Sequence, residues 1–317
     1  MSAKGNNKLA EIVKSQKDLA FIVGNGINRY GVKRGGDSKE DERSWKTLIK
    51  SLWSTFGTPP SDDIVYEDVH LTEIYDLLSL YDNSDIEMRG FVSEKLATWK
   101  PEEQHHRLVE RLMQLDAPIL TTNFDATLTS ELKKMHLRIS QSGSPFSHHY
   151  PWTTYFGSKV LSTPLDGFGI WHINGMIGYP YSIRLALSHY MGAVQRARQL
   201  LHHGDSALFA SARNTKDTWA GSNTWLEIFF RKRLVIMGLG LESNETFLRW
   251  LLVERAKYLR SLECDWAGTS GWYLHTKRDR KGDKVKPVSP GKRLFMEAVG
   301  IKVLELETAK HLYECRW

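Results

Sequence analysis

Residues 18–28, DLAFIVGNGIN, decide the fold, because an apolar strand runs directly into two glycines, Gly24 and Gly26, that flank one asparagine. The segment 117–125, APILTTNFD, repeats this plan with an apolar strand that ends in small polar residues. In open α/β sheets such strand ends gather at the carboxyl edge, where ligands bind. Glycine lets a phosphate approach backbone N–H groups at the start of the next helix. The two segments predict one nucleotide pocket; the alternative is that the glycines only form a tight turn.

The rest of the chain predicts a doubly wound sheet. Apolar strands are expected at 19–24, 117–122, 168–173, 233–238, 271–276 and 301–306, separated by stretches with helical spacing. This alternation is typical of an α/β protein with a Rossmann-like, doubly wound, mainly parallel sheet. One domain is predicted over 1–317, with a helical insertion at about 45–115 and a mixed insertion at about 177–225. Near the carboxyl end, a helix is predicted to end at Gly300.

Several enzyme classes are disfavoured by missing motifs. No third glycine completes the dehydrogenase fingerprint after Gly26, and no strand with a terminal acid follows about 20 residues later. The phosphate-loop pattern GxxxxGK[ST] and the GxSxG elbow are also absent. Hydride transfer, ATP hydrolysis and serine-ester chemistry therefore lose their usual sequence support.

Composition indicates an ordinary globular protein of the cytoplasm. With 41% hydrophobic and 25% charged residues the chain resembles soluble domains, and no apolar run approaches the roughly 18 residues of a membrane span. The N-terminus lacks the apolar core of a signal peptide. Two cysteines, Cys264 and Cys315, without a CxxC pair exclude a disulfide framework and a four-cysteine zinc site. Basic stretches such as 277–286 favour solvated loops over direct nucleic-acid binding.

The second strand end supplies a candidate amide. A helix is predicted over 125–134, with Asp125 as its N-cap. If Asp125 caps that helix, the Asn123 side chain remains available for a ligand. An amide offers donors and an acceptor in one plane, which suits it to holding ribose hydroxyls or orienting a water molecule.

The third strand end supplies a candidate base. In 169–175, GIWHING, a strand places His172 and Asn174 on one face, so both polar side chains are expected at its exit. The alternative for His172 is a hydrogen-bonded core residue. Neutral imidazole accepts protons near physiological pH, which makes His172 a candidate general base.

The fourth strand end carries acid and hydroxyl groups. Its strand leads to Gly238 and Gly240, and Glu242 and Ser243 follow before a long amphipathic helix. Glu242 suits the hydroxyls of an adenosine ribose, as acids at strand ends do. The alternative is a first-turn acid that the helix dipole favours. Ser243 or Asn244 is the expected helix cap.

Together these four segments resemble the sirtuin-like NAD-consuming family, in particular its zinc-free prokaryotic branch linked to antiviral defence. GNGIN matches the first glycine turn of that family, TTNFD its TxN(x)D strand end, HING its His-Gly motif and GLGLES its ribose-binding segment. The resemblance covers roughly residues 18–245 and preserves the order of the motifs. It implies catalytic roles for Asn123 and His172. It implies cofactor binding by Gly24, Asn25, Gly26, Ile27, Asn28, Thr121, Asp125, Asn174, Gly238, Gly240, Glu242 and Ser243.

The resemblance also implies a reaction and partners. NAD would be the substrate, without a metal, and hydrolysis at the nicotinamide–ribose bond would give nicotinamide and ADP-ribose. The pyrophosphate would lie on Gly24 and Gly26, Asn123 would align a water molecule or the ribose hydroxyls, and His172 would accept the proton. Relatives of this kind form homo-oligomers or act with a HerA-type ATPase.

Two departures from the family qualify the expected activity. Sirtuin deacylases carry a zinc ribbon with paired cysteines, which this chain lacks, so NAD hydrolysis is favoured over protein deacylation. In the His-Gly motif the residue before Gly175 is Asn174, and His172 lies two positions earlier. Either His172 acts as the base from this shifted position, or the chain is an NAD or ADP-ribose sensor with little turnover.

Overall fold

The computed structural model describes residues 4–15, 17–31, 43–58, 69–81, 84–130, 132, 136–139, 152–213, 218–242, 245–262 and 270–317. The strands are β1 Leu19–Val23, β2 Ile119–Thr121, β3 His136–Arg138, β4 Thr154–Phe156, β5 Ile170–His172, β6 Arg233–Met237, β7 Gly271–Arg278 and β8 Ile301–Thr308. The helices are α1 Lys4–Ser15, α2 Gly26–Gly31, α3 Trp45–Phe56, α4 Leu71–Leu78, α5 Asp85–Ala97, α6 Glu103–Gln114, α7 Leu187–His202, α8 Leu208–Arg213, α9 Trp225–Arg231, α10 Thr246–Ser261, α11 Pro290–Ala298 and α12 Ala309–Tyr313. Short 3₁₀ helices lie at Ser79–Tyr81 and Pro180–Ser182.

The strands form one sheet in the order β3-β4-β5-β2-β1-β6-β7-β8. The six predicted strands are confirmed, and they form the parallel part from β5 to β8. Two further strands, β3 and β4, extend the β5 edge in antiparallel orientation. Each has three residues, which is too short for a period-2 pattern to emerge from the sequence.

Helices cover both faces of the sheet, which confirms the doubly wound Rossmann-like fold. Along β1, Ala20 and Ile22 belong to one buried core cluster, whereas Phe21 and Val23 belong to a second cluster on the other face. Both sets are buried because the faces of a parallel sheet are normally covered by helices. The central strands consequently consist of apolar runs without polar alternation.

The region predicted as a helical insertion contains α3, α4, α5 and α6 among its described residues. Ser44 begins α3 as its N-cap, since the serine hydroxyl accepts a hydrogen bond from Thr47 N at 3.1 Å. Leu52, Ile74 and Val92 from these helices join Phe124 in a third core cluster, so the insertion packs against the end of β2. In the second predicted insertion, the described part contains a 3₁₀ helix, α7 and α8.

Helix α12 and the residues after it pack against the start of the fold. The Trp317 ring stacks on Phe21 of β1, with centroids 5.8 Å apart and planes 11° apart. Arg111 donates to Trp317 O at 3.2 Å, which connects this segment with α6. The Tyr30 hydroxyl of α2 donates to Glu314 at 2.7 Å.

Two local expectations have clear outcomes. The helix ending at Gly300 is confirmed, because Gly300 adopts φ +76° directly after α11. The helix predicted over 125–134 was wrong in its described part, where residues 125–130 form bends and turns. The Asp125 side chain bonds Thr127 N, which favours a local turn over continued helix. Within the described ranges, no helix has the length and apolar character needed to span a membrane.

Candidate functional site

Gly24 and Gly26 bring the ends of β1 and β6 into close contact. Gly24 N donates to Met237 O at 3.0 Å, and Gly26 N donates to Gly238 O at 2.8 Å. A Cβ on Gly24 would lie 2.6 Å from Gly238 O, and one on Gly26 would lie 2.7 Å from Gly238 Cα. The sequence predicted that the N–H groups of these glycines would be free for a phosphate. That prediction was wrong, because both N–H groups donate to backbone carbonyls. Because these glycines have no side chain, the backbone that follows β1 can instead approach the backbone that follows β6.

Thr121 holds the end of β2 in place. Its hydroxyl donates to Val23 O at 3.1 Å and accepts from Asn123 N at 3.1 Å. These bonds tie β2 to β1 and fix the backbone of Asn123. Thr121 is fully buried, so its contribution to the site is to position the asparagine.

Asn28 and Asp125 form the centre of a buried polar network. Asn28 Nδ2 donates to Asp125 Oδ2 at 2.8 Å and to Asn25 Oδ1 at 2.9 Å. Asp125 Oδ1 accepts from Thr127 N at 3.0 Å and from the Thr127 hydroxyl at 2.5 Å. Asp125 therefore accepts hydrogen bonds from Asn28 Nδ2, Thr127 N and the Thr127 hydroxyl. Within the described part of the chain, only neutral groups donate hydrogen bonds to this carboxylate.

His105 of α6 fixes the orientation of Asn28. Its Nδ1 accepts from Glu102 N at 2.9 Å, so Nε2 carries the proton and donates to Asn28 Oδ1 at 2.8 Å. Burial lowers the pKa of His105 from 6.5 to about 4, although the charge of Asp125 acts in the opposite direction. The histidine is consequently neutral at physiological pH and determines which way the Asn28 amide points.

Asn25 and Ile27 contribute to the site in different ways. Asn25 is half-buried, and its Nδ2 donates to Arg43 O at 2.7 Å, which joins the first turn to the start of α3. The Ile27 side chain lies in the core, where it contacts no solvent. Its carbonyl accepts a hydrogen bond from Gln104 at 3.3 Å. Asn25 therefore offers its side chain to the site, whereas Ile27 supports the turn.

A small, partly open cavity lies beside the ends of β1 and β2. Its apolar walls are Trp45, Leu48, Leu96, Trp99 and Phe124, and its polar groups come from Asn25, Ser44, Asn123 and Asp125. Trp45 meets Phe124 edge to face, with centroids 5.3 Å apart. The cavity thus combines flat aromatic surfaces with amides and one carboxylate.

The Asn123 side chain is the least satisfied polar group in this cavity. It is 5% exposed, and within the described residues its Nδ2 has no hydrogen-bond partner. A buried amide without a partner costs roughly 1–3 kcal/mol, so such groups point to a ligand or an ordered water molecule. The structure therefore brings Asn123 and Asp125 together, as expected from the sequence.

His172 lies directly behind Asn123. Its Nδ1 donates to Asn123 O at 2.9 Å, which leaves the Nε2 lone pair as the basic position of the neutral ring. Burial lowers the pKa of His172, while the bond to Asn123 and the charge of Asp125 oppose the shift. The imidazole packs against Phe156, with ring centroids 5.8 Å apart, and does not line the described cavity. His172 adjoins the cavity wall and is neutral at physiological pH.

Asn174 occupies a different position from the one predicted. Strand β5 ends at His172, and Gly175 N donates to His172 O at 3.3 Å in a turn. The prediction that His172 and Asn174 lie on one face of a strand was wrong, because the strand ends before Asn174. Asn174 is buried, and its carbonyl accepts from Arg184 N at 3.3 Å.

The fourth strand end adjoins the first turn through backbone contacts. Gly238 adopts φ +64°, a conformation that favours glycine, and meets Gly26. Glu242 is exposed, and its carboxylate forms an ion pair with Lys292 at 2.5 Å, while Lys292 also donates to Gly240 O at 2.8 Å. Glu242 does not line the Asn123 cavity. Ser243, together with Asn244, lies outside the described residues.

Sequence reasoning missed His105 and the aromatic walls of the cavity. In EQHHRLVERL, His105 precedes Leu108 and Val109 by three and four residues, so helical spacing places it on the buried face. That signal was present in the sequence. Trp45 and Trp99 carried no comparable signal, because their convergence depends on how the inserted helices pack.

Comparisons with known proteins add no family assignment. No protein-family model matches this chain, and no match is found among curated protein sequences. Among the described residues there is also no cluster of three or more histidine, cysteine, aspartate or glutamate side chains arranged to hold a metal ion. The fold and site therefore define an α/β protein with a polar, aromatic-walled cavity at the carboxyl edge of its sheet.

Proposed function

We propose that this protein hydrolyses NAD at the nicotinamide–ribose bond and releases nicotinamide and ADP-ribose. The observation that carries the proposal is the buried Asn123 amide, which lines the cavity together with Asp125 and whose nitrogen has no hydrogen-bond partner among the described residues. The four motifs that resemble the sirtuin-like family supply the substrate class.

The chemistry of the cavity suits the nicotinamide end of NAD. Trp45, Trp99 and Phe124 provide flat apolar walls for an aromatic ring. The Asp125 carboxylate favours a positively charged ring, and the pyridinium of NAD carries that charge. An amide such as Asn123 pairs well with the carboxamide of the ring or with a ribose hydroxyl. The enclosed space of this cavity is about that of one water molecule, so binding of the nicotinamide ring requires its aromatic walls to move apart.

The same groups support cleavage of the glycosidic bond. When the bond between C1′ and the ring nitrogen breaks, its electron pair moves to the nitrogen, and nicotinamide leaves as a neutral molecule. The sugar becomes oxocarbenium-like, and the fixed carboxylate of Asp125 stabilises that charge. A water oxygen then bonds to C1′. Neutral His172 accepts the proton through an intervening water molecule, since its ring lies behind the cavity wall.

The biological setting of the proposal rests on the resemblance alone. We propose an NAD-depleting effector in cytoplasmic antiviral defence, with abortive infection as the outcome. Such activity requires control, which the family achieves through homo-oligomers or a HerA-type ATPase partner. Direct nucleic-acid binding has no support beyond the modest net charge of +6.

A second candidate is an NAD or ADP-ribose sensor. The buried position of His172 behind the cavity wall favours it, because a base that reaches the reacting water only indirectly gives little turnover. In this case the same cavity binds the ligand, and a partner protein receives the signal.

Chromatography of nucleotides after incubation of NAD with purified protein tests the proposal. The wild-type protein, alone or bound to its partner, should release nicotinamide and ADP-ribose, and Asn123→Ala should abolish the release. Asn223→Ala is the matched control, because Asn223 is exposed and lies outside the cavity. Calorimetric titration with NAD separates the two candidates. Binding without turnover supports the sensor, whereas absence of both rejects the proposed ligand.

A further inference from the structure

Two arginines make cation–π contacts with the indole ring of Trp152, near the carboxyl end of β5. The guanidinium carbon of Arg184 lies 5.4 Å from the indole centroid, and that of Arg196 lies 5.2 Å from it. Trp152 belongs to the same core cluster as Ile173, and it shares no residue with the Asn123 cavity. The arginine pair is therefore a separate feature of the molecule.

Arg184 is held rigidly in this position. Its backbone N donates to Asn174 O at 3.3 Å, and its Nη1 donates to Ile173 O at 2.9 Å. Phe247 supports it from another side, with the ring centroid 5.3 Å from the guanidinium carbon. A guanidinium has five N–H donors in a planar fork, and the bond to Ile173 uses one of them. Among the described residues, this half-buried side chain makes no other hydrogen bond.

The positive charges of this pair are not neutralised within the protein. Burial lowers the pKa of Arg184 to about 10, with the charge of Tyr190 opposing the shift and the charge of Arg196 adding to it. Arg184 nevertheless remains protonated at neutral pH. Across the described part of the chain, neither arginine forms an ion pair with a carboxylate. Two like charges close together are unfavourable unless an anion joins them.

Two buried arginines elsewhere in the protein have partners of other kinds. Arg89 forms an ion pair with Asp85 at 2.7 Å. Arg255 donates to three backbone carbonyls, those of Phe229, Lys232 and Ser270, at 2.7, 2.7 and 3.1 Å. Of the pair on Trp152, Arg184 is half-buried and Arg196 is exposed, so Arg196 is open to a ligand from solvent.

Two acidic groups lie near the pair: the charge of Tyr190 acts on Arg184, and the charge of Glu245 acts on Tyr190. Burial raises the pKa of Glu245, and the charge of Glu242 raises it as well, so the carboxyl is biased toward its neutral form. Burial also raises the pKa of Tyr190, which keeps the phenol neutral. The surroundings of the pair therefore leave it electropositive.

We propose that Arg184 and Arg196 form a binding site for a phosphate dianion, either free or as a monoester. The guanidinium fork matches phosphate oxygens in a bidentate geometry. A phosphate monoester carries about −1.5 to −2 charges at neutral pH, which balances two arginines better than a carboxylate does. The site does not depend on NAD hydrolysis, because none of its residues line the Asn123 cavity.

Calorimetric titration with ribose 5-phosphate, inorganic phosphate and uncharged ribose tests the site. We expect saturable binding of a phosphate species at one site per chain and no binding of ribose. Arg196→Gln should weaken that affinity about tenfold or more, because it removes a charge-assisted hydrogen bond. Tighter binding of the ester identifies an ester ligand, and equal or tighter binding of inorganic phosphate identifies the free ion.

Arg198→Gln provides the matched control, since Arg198 is exposed two residues further along α7. Its affinity should stay within about twofold of wild type, as expected for a remote surface charge. Arg184→Lys keeps the charge but loses the fork, and it should also weaken binding about tenfold. Unfolding in urea confirms that each variant is folded, and Arg196→Gln carries the test if Arg184→Lys is not. Equal losses in Arg196→Gln and Arg198→Gln, or no saturable binding, would overturn the proposal.

Discussion

The neutral His105 makes a specific prediction about stability and pH. In the folded protein its Nδ1 accepts from Glu102 N, so protonation would place two N–H groups opposite each other. The unfolded chain has no such restriction and binds a proton near the ordinary histidine pKa of 6.5. Between this value and the folded pKa of about 4 the unfolded state binds more protons than the folded state. The free energy of unfolding must therefore fall as pH decreases through this window.

The magnitude follows from the two pKa values. With a folded pKa of about 4, His105 should cost the folded state about 2 kcal/mol at pH 5 relative to pH 7.5. The loss should reach about 3 kcal/mol near pH 4. His189, whose pKa burial also lowers to about 4, adds a similar dependence to the wild-type protein. His105→Gln isolates one contribution, because glutamine keeps an N–H donor for Asn28 and does not titrate.

Urea unfolding of wild type and His105→Gln at pH 7.5 and 5.0 measures this difference. The variant should lose about 2 kcal/mol less than wild type between the two pH values. His203→Gln serves as the control, since His203 is exposed after the end of α7, and its pH dependence should match wild type. If His105→Gln and wild type lost equal free energy, the assignment of a neutral, buried His105 would be refuted.

Four further predictions concern the site and, as a contrast, helix α7. Gly24→Ala should destabilise the fold by about 1–3 kcal/mol, because its Cβ would lie 2.6 Å from Gly238 O. Gly192→Ala, where a Cβ meets nothing within 4 Å, should instead stabilise helix α7 by roughly 0.5–1 kcal/mol in the same urea titrations. Asp125→Asn should weaken binding of the cation 1-methylnicotinamide about tenfold more than binding of neutral nicotinamide, measured by calorimetry; equal losses would contradict the charge argument. Asn123→Ala should keep its free energy of unfolding within about 1 kcal/mol of wild type, and a larger loss would reveal a structural role for the amide.

Much of the fold could be predicted because the central strands have one dominant signal. Strand β1 is buried on both faces, and such strands appear in a sequence as uninterrupted apolar runs bounded by glycine. The edge strands β3 and β4 lacked this signal because each contains only three residues. The helix expected after Asp125 failed for another reason. Over the described residues 126–130, helical propensity was overridden by the bonds from the Thr127 backbone N and hydroxyl to Asp125.

Individual residues of the site could be predicted from the sequence, but the contacts between them could not. Strand ends gather at one edge of a parallel sheet, which is why Asn123 and Asp125 could be placed beside the first turn. Glycine motifs do not reveal whether their N–H groups point to a ligand or to another strand, and Gly24 and Gly26 do the latter. The position of His172 behind Asn123 depends on a single carbonyl contact that no sequence pattern encodes.

The packing of α12 on the first glycine turn links residues that are nearly 290 positions apart. A Cβ on Gly26 would lie within contact distance of the Tyr313 hydroxyl, and Phe21 is covered by Trp317. During synthesis the ribosome produces the turn long before the residues that cover it. A nascent polypeptide that stops before Tyr313 therefore leaves part of β1 uncovered, so this face of the sheet is completed only when these late residues are translated.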